Sequence, residues 1–291
     1  MRLGGRAQAA IEVLNDIDKR NRPVSEALKA WGLDHRFAGS GDRAAIGNIV
    51  YDALRSRRSL QWRMDSDSTR KLVLAVLLDS WGFSPESLNA AFDGDKFAPD
   101  PLTDAEIDKW ASRALNDAPQ AVRADLPDWL VQSFEANFAD EWVEEAKAFT
   151  TRPPVDMRVN TLKASRDKVA KALSKSGAAP DPLTRHGLRV AAGEGASRQP
   201  NVQADGAFQR GQFEIQDAGS QVVADLVFAR PGEQVLDLCA GAGGKTLALA
   251  AAMENKGQIH AYDANKQRLK PIYERLKRAG VRNAQVHAPD A

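Results

Sequence analysis

The chain has 291 residues, of which 43% are hydrophobic and 27% charged, a composition that excludes wholesale disorder and suits two or three domains. The net charge of +1 by itself says nothing about partners, and the one cysteine, Cys239, excludes a disulfide framework or a zinc site built on several thiolates. Four scattered histidines suggest no metal, and the longest apolar run, Leu72 to Leu78, is too short to span a membrane. With no apolar stretch of signal-peptide length at the N-terminus, the sequence predicts a cytoplasmic protein.

The charge is distributed unevenly along the chain. Residues 1–63 carry a net charge of +5, residues 64–150 a net charge of −11, and residues 151–291 a net charge of +7. Basic segments attract phosphate backbones, although ordinary solvated faces have the same composition. The basic segments therefore give only weak support for a polyanionic partner.

Residues 1–150 have the pattern of an all-α domain. Apolar residues recur there at helical spacing, and no period-two alternation is present. One stripe includes Ile46, Ile49 and Val50, and Asp42 is the expected N-cap of its helix.

An arginine-rich cluster follows that stripe, interleaved with Leu60 and Trp62. Its members are Arg55, Arg57, Arg58 and Arg63. Pairing with the negative end of the helix dipole and contact with RNA explain the cluster equally well at this stage.

The pattern changes to a small α+β module over residues 151–215. Pro153 and Pro154 end the preceding helix, and residues 155–160 alternate apolar and polar as a half-buried strand does. Ser165 is placed to cap a helix. Residues 187–190 and 207–214 are two further extended segments.

Residues 216–291 have the pattern of an α/β Rossmann-like domain. Asp217 or Ser220 opens a helix, and a β-α-β-α-β run follows. The second helix of that run ends at Gly280 and contains Pro271, which predicts a kink. The three predicted strands are Gln234–Leu238, Gln258–Tyr262 and Ala284–Ala288.

A glycine-rich turn joins the first of these strands to a helix. Glycine lets the backbone approach a nucleotide-like ligand closely. Asp263 ends the second strand, 20 positions after Gly243, and is placed to accept hydrogen bonds from ribose hydroxyls. Asp290 ends the third strand and is placed to meet an adenine edge.

Three ligands compete for this turn. A phosphate-binding loop needs glycine where Cys239 stands, and a dinucleotide fingerprint needs glycine where Thr246 stands. S-adenosylmethionine is cationic and has no phosphate, so it suits a site with acidic residues. The pattern favours S-adenosylmethionine over a nucleoside triphosphate or NAD.

Residues 237–246 resemble the first cofactor motif of the Sun/Fmu (RsmB-like) family of RNA cytosine-5 methyltransferases. Residues 154–163 are similar to the family's RNA-side signature, and residues 213–220 to the start of its methyltransferase core. The helical segment 1–150 resembles the NusB-like RNA-binding domain of bacterial members. The resemblance therefore implies three parts: a NusB-like bundle (1–150), an α+β RNA-binding module (151–215) and the start of a class I methyltransferase domain (216–291).

The resemblance also implies site residues. Asp263 would contact the ribose of S-adenosylmethionine and Asp290 would lie near its adenine, while Arg158 and Asn160 would lie on the RNA-facing module. The cofactor loop would contribute Cys239, Ala240, Gly241, Ala242, Gly243, Gly244 and Lys245. The family commonly has Ala-Pro where Gly241 and Ala242 stand, so we expect a more mobile loop with the same ligand.

Family chemistry implies a cysteine thiolate that adds to C6 of cytosine and activates C5, followed by methylation and removal of the C5 proton. We expect that nucleophile beyond Ala291, because Cys239 lies in the cofactor loop. The expected protein is an enzyme acting on RNA, with ribosomal RNA as its substrate, of which residues 1–291 are an inactive fragment with a truncated sheet. The alternative is a non-catalytic RNA-binding or ribosome-assembly factor.

Overall fold

The computed structural model describes residues 1–289, and the chain divides into two compact units. The first unit comprises Met1–Arg152 together with Gly193–Arg198. The second comprises Pro153–Ala192 and the chain from Gln199 onward. Within the described residues, no helix is both long and apolar enough to cross a membrane.

Helices are the only regular elements within Met1–Arg152, which confirms the helical prediction for residues 1–150. The helices are α1 (Leu3–Arg20), α2 (Val24–Asp34), α3 (Ser40–Arg55), α4 (Arg57–Met64), α5 (Thr69–Asp79), α6 (Pro85–Phe92), α7 (Asp104–Ser112), α8 (Gln120–Arg123), α9 (Asp128–Phe138) and α10 (Trp142–Lys147). Helix α5 carries the apolar run Leu72–Leu78, every residue of which is buried, and it packs against α1, α3 and α4. Its burial on all sides explains why that run lacks helical periodicity.

The start of α3 differs from the prediction. The helix begins at Ser40 after Gly39, so Asp42 is the third helical residue and not the N-cap. Its Oδ2 accepts the N–H of Gly39 at 3.3 Å, and its Oδ1 accepts Arg6 Nε at 2.9 Å. Asp42 thus stabilises the helix start from inside the first turn.

The second unit begins with an antiparallel sheet in the order β2-β3-β1-β4. Its elements are β1 (Val155–Val159), α11 (Arg166–Ala172), β2 (Ala179–Pro180), β3 (Gly187–Val190), α12 (Gly206–Gln209) and β4 (Phe213–Ile215). Ser165 accepts the N–H of Lys168, as predicted for its cap. Met157, Leu188 and Phe213 from the sheet pack with Val169 of α11 in one core.

The predicted strand over residues 207–214 is wrong in its first half. Asp205 accepts the N–H of Ala207 at 2.7 Å, which starts the short helix α12. Gly211 then turns the chain with φ +70°, and only residues 213–215 pair in the sheet. Local capping and turn chemistry override the extended pattern.

A parallel sheet in the order β5-β6-β7 follows. Its elements are α13 (Ala218–Asp225), β5 (Gln234–Asp237), α14 (Gly244–Ala252), β6 (Gln258–Tyr262), α15 (Lys266–Leu269), α16 (Ile272–Ala279) and β7 (Ala284–His287). Asp217 caps α13 by accepting the N–H of Ser220 at 3.0 Å. Pro271 separates α15 from α16, so the predicted kink is a break between two helices.

Apolar side chains are exposed beside β5 and after α13. Leu236 is 61% exposed, Leu238 59% and Phe228 71%. Within the described residues, β5 pairs with β6 alone, so one edge of the parallel sheet has no neighbouring strand.

Candidate functional site

The loop of residues 238–243 joins β5 to α14 and is held by hydrogen bonds to the end of β6. The N–H of Ala240 donates to the carbonyl of Tyr262 at 2.9 Å. The N–H of Gly241 donates to Asp263 Oδ2 at 2.8 Å, and that of Gly243 to the carbonyl of Ala240 at 2.8 Å. Three amides of the loop are therefore satisfied inside the protein.

Two glycines of the loop have conformations that other residues rarely adopt. Gly241 has φ +50° at the second position of the turn closed by Ala240 and Gly243. Gly243 has φ +82°, and a Cβ there would lie 2.5 Å from Cγ1 of Ile272 on α16. Gly243 is thus required both by its backbone conformation and by the close packing of α16.

Asp263 lies directly after β6 and is 5% exposed. Its Oδ2 accepts Gly241 N–H, and its Oδ1 accepts the N–H of Asn265 at 2.8 Å. The Asn265 amide, supported by the Gly241 amide and the Arg268 charge, lowers the pKa of Asp263. The carboxylate is therefore ionised at neutral pH, and each oxygen retains a lone pair for a further donor.

The structure brings Gly241 and Asp263 into direct contact, and it buries Ala240 and Gly243 beside them. Ala242 and Gly244 are half-buried, whereas Cys239 and Lys245 are exposed. Sequence reasoning missed the support beneath the loop. Thr246 is fully buried, and its hydroxyl donates to Asp237 Oδ2 at 2.7 Å, which joins the end of β5 to α14.

One predicted contact falls outside what the structure describes. Asp290, expected near an adenine edge, lies beyond residue 289. Asp263 is therefore the acidic group around which this site is described.

Arg158 and Asn160, predicted to face RNA, are buried instead. Arg158 is 6% exposed and donates to Gln216 Oε1 at 2.6 Å, while Asn160 is 3% exposed. Burial lowers the pKa of Arg158 to about 10, so its charge persists at neutral pH. The Asn160 side-chain amide donates to the carbonyls of Gly211 at 2.9 Å and Ala279 at 2.8 Å. These polar side chains join β1 to the segment before α13 and to α16, and their contact with RNA stays a prediction.

A second group that the sequence did not reveal surrounds Glu214 on β4. Its carboxylate, 3% exposed, pairs with Arg275 Nη2 at 3.1 Å and Arg278 Nη2 at 2.7 Å. Arg275 Nη1 also donates to the carbonyl of Ala242 in the loop at 2.8 Å. Arginines three positions apart on a helix are a weak signal, because that spacing also describes a solvated face.

The arginine cluster of the first unit is occupied by the protein's own oxygen atoms. Arg57 pairs with Asp18 at 2.6 Å, Arg58 with Asp128 at 2.8 Å, and Arg63 with Asp79 at 3.1 Å. Arg55 pairs with Asp52 in the same way. These ion pairs are a third explanation, while Arg55 and Arg63 also lie in the last turns of α3 and α4, as pairing with the helix dipole expects. Contact of the cluster with RNA stays a prediction.

The arrangement at the carboxyl ends of β5 and β6 is suited to a ligand with hydroxyl donors. An ionised carboxylate with free lone pairs accepts hydroxyl groups and repels phosphates. Three amides of the loop are used within the protein, whereas no side-chain hydrogen bond caps the first amides of α14. The ionised carboxylate thus favours hydroxyl donors, such as those of a ribose, over a phosphate group. No cluster of three metal-ligating side chains occurs in residues 1–289.

Two family models match the chain. The model of the 16S rRNA methyltransferase RsmB/F matches residues 225–291, and the model of the RsmF/B-like ferredoxin-like domain matches residues 126–194. The probable ribosomal RNA small subunit methyltransferase B of Synechocystis sp. is 33% identical over 168 residues, which are 57% of this chain and 36% of that protein. Ribosomal RNA small subunit methyltransferase B of Yersinia pseudotuberculosis is 34% identical over 170 residues, 56% of this chain and 38% of that protein.

The fold is also similar to that of solved structures. The match to the crystal structure of PH0851 covers 100% of this chain and 71% of the PH0851 chain, with a TM-score of 0.66 and 22% identity. A methyltransferase homolog protein from Pyrococcus horikoshii covers 58% of this chain and 54% of its own, with a TM-score of 0.51 and 28% identity. The matched region spans 36% to 38% of the length of the two curated relatives.

Proposed function

Because this chain belongs to the Sun/Fmu (RsmB-like) family, we propose that it is part of an S-adenosylmethionine-dependent methyltransferase acting on C5 of a cytosine in ribosomal RNA. The observation that carries this proposal is the pairing of the glycine loop with an ionised carboxylate at the next strand end. Two backbone N–H groups orient that carboxylate, so its remaining lone pairs are fixed in direction before a ligand arrives.

The residues that would hold the cofactor are those of the loop together with Asp263. Asp263 would accept the ribose hydroxyls, and the backbone of residues 239–245 would contact the methionine part. S-adenosylmethionine supplies an electrophilic methyl group when bound. The chain's own contribution is to hold that ligand against a fixed turn, since three loop amides and Thr246 keep the turn in one conformation.

We propose further that residues 1–291 are a part of the enzyme and that the nucleophilic cysteine lies in the part of it beyond Ala291. Two observations support the missing part: the chain matches only 36% to 38% of the length of the two curated relatives, and Leu236 and Leu238 are exposed beside the unpaired edge of β5. An apolar sheet face normally packs against another layer. Cys239 is exposed in the cofactor loop, and the proposal gives it no catalytic role.

RNA contact is proposed on α11 and the short helix after it. Lys168 and Lys171 are exposed and lie three positions apart on α11, which sets them on one side of it, and Lys175 is exposed on the 3-10 helix Ser174–Ser176 that follows. The carboxylates of the antiparallel sheet form their ion pairs with Arg189, Arg275 and Arg278. Within residues 1–289, none of the three lysines forms an ion pair. Their charges are therefore available to phosphates, unlike those of the arginine cluster in the first unit.

The proposal is tested on the whole enzyme that contains this chain. Methyl groups labelled with tritium should pass from S-adenosylmethionine to small-subunit ribosomal RNA, and bisulfite sequencing should find the product at C5 of a cytosine. RNA bound without any methyl transfer would favour the alternative, a non-catalytic RNA-binding or assembly factor.

The lysine surface is tested separately by charge reversal. The triple variant K168E/K171E/K175E should weaken RNA binding and reduce the dependence of log affinity on log salt by about two to three, at about 0.7 to 0.9 per phosphate contact. The control K256E/K270E/K277E reverses the same number of exposed charges elsewhere in the second unit. Equal loss in both variants would remove the lysine surface from the proposal.

A further inference from the structure

The buried carboxylate of Glu214 connects the antiparallel sheet to α16. It is 3% exposed and accepts Arg275 and Arg278, which lie on successive turns of that helix. Arg158 contributes a third positive charge nearby, whose pKa Glu214 raises and Arg275 lowers. A buried carboxylate among guanidinium groups is held firmly, because any one of them left unpaired costs desolvation free energy.

Arg275 extends this connection into the cofactor loop. Its Nη2 is bound to Glu214, while its Nη1 donates to the carbonyl of Ala242 at 2.8 Å. The same peptide group ends in the N–H of Gly243, which is bound to the carbonyl of Ala240. Both polar atoms of the Ala242–Gly243 peptide are therefore held.

This peptide is one that would otherwise rotate at little cost. Its rotation changes ψ of Ala242 and φ of Gly243, and glycine is nearly indifferent to the sign of φ. Gly241, before it, also has positive φ. The Arg275 donor on Ala242 and the Ala240 acceptor of the Gly243 N–H therefore together select one orientation of this peptide.

The anchor itself is rigid because the sheet and α16 are in close contact. A Cβ at Gly211 would lie 2.0 Å from the carbonyl oxygen of Arg278, so the two backbones touch. Asn160 bridges the same two segments through the carbonyls of Gly211 and Ala279. Glu214 and α16 consequently form a fixed support for Arg275.

We propose that Arg275, oriented by Glu214, is a positioning residue that holds the Ala242–Gly243 peptide in the conformation that binds S-adenosylmethionine. The proposal rests on the proposed function for the identity of the ligand. It gives the antiparallel sheet a direct role in the cofactor site, exerted through one guanidinium group.

The test compares R275M, R275K and E214Q with K277M, which removes an exposed charge from the same helix. Two quantities are measured: the calorimetric affinity for S-adenosylmethionine and the hydrogen-exchange rates of the Gly241 and Gly243 amides without ligand. R275M should weaken binding about tenfold, as expected for one charge-assisted hydrogen bond, and should speed exchange at both amides. R275K should restore part of each, since an ammonium group reaches Glu214 or Ala242 but lacks the fork that reaches both.

A stability control separates positioning from general loosening. V169A removes buried volume from the core of the antiparallel sheet and should lower the melting temperature without changing amide exchange in the loop. The proposal would be overturned if R275M had the same affinity for S-adenosylmethionine and the same exchange rates as K277M. It would also be overturned if V169A lost as much affinity as R275M. If the unaltered chain does not bind S-adenosylmethionine while R275M still speeds exchange, the ligand assignment fails and the positioning role stands.

Discussion

Replacing Gly243 by alanine tests the packing that shapes the cofactor loop. The new Cβ would lie 2.5 Å from Cγ1 and 2.9 Å from Cδ1 of Ile272, and φ is +82°. Positive φ costs a non-glycine residue about 1–2 kcal/mol. Overpacking costs about 1–3 kcal/mol more. The total of about 2–5 kcal/mol is a large part of the stability of a domain.

The matched control is G232A. Gly232 also has positive φ, +95°, but no heavy atom lies within 4 Å of its Cβ position. The G232A variant should therefore lose only the cost of the positive φ, about 1–2 kcal/mol of the free energy of unfolding. The difference between the two variants isolates the contact with Ile272.

Circular dichroism of urea unfolding measures these losses over the whole chain. All six tryptophans precede residue 153, so tryptophan fluorescence follows the first unit separately. In an I272A background the nearest Ile272 atom that remains is Cβ, at 3.6 Å, so G243A should there cost no more than G232A. Equal losses for G243A and G232A in the unaltered background would refute the steric argument.

Three further changes have directions fixed by the structure. T246V should lower the free energy of unfolding by about 1–3 kcal/mol in urea titrations, because Asp237 loses the hydrogen bond that the Thr246 hydroxyl donates at 2.7 Å. T184V, which removes the hydroxyl that Thr184 donates to Asp181, is the comparison. D52A should destabilise the first unit by about 3–5 kcal/mol, because Arg55, Arg152 and Trp81 lose a buried acceptor. D18A removes a more exposed ion pair, worth about 0–1 kcal/mol. Unfolding followed by tryptophan fluorescence should distinguish the two variants, and equal losses of stability would contradict the reasoning. The folded state lowers the pKa of Asp263, so the stabilisation that its charge provides is complete above the unfolded pKa of about 3.9 and is lost as the pH falls through the folded pKa. The difference in free energy of unfolding between the unaltered chain and D263N should therefore close below about pH 4. A difference that stays constant with pH would contradict this.

The parallel sheet was largely predictable because its signals are local. Strand Gln258–Tyr262 was predicted with its observed bounds, since alternating residues are bounded by Gly257 and Asp263. The helical first unit followed from apolar spacing alone and the cap at Ser165 from residue type, while residue type left Asp217 and Ser220 both possible at the start of α13. Each of these signals lies within a few residues of the element that it specifies.

The roles of Arg158, Asn160 and Glu214 were not predictable because their partners are distant in sequence. Arg158 contacts Gln216, 58 positions away, and Asn160 contacts Ala279, 119 positions away. A motif shows that such residues matter without showing whether they face a ligand or the interior. The NusB-like character of the helical unit and the division into three domains remain predictions.

The central claim is that the glycine loop and Asp263, at the carboxyl ends of β5 and β6, accept an adenosine bearing a sulfonium group. Calorimetric titration of the chain with S-adenosylmethionine and, separately, with ATP tests it most directly. The account predicts one saturable site for S-adenosylmethionine that D263A abolishes, and no saturable binding of ATP. Saturable ATP binding, or S-adenosylmethionine binding that D263A leaves unchanged, would contradict it.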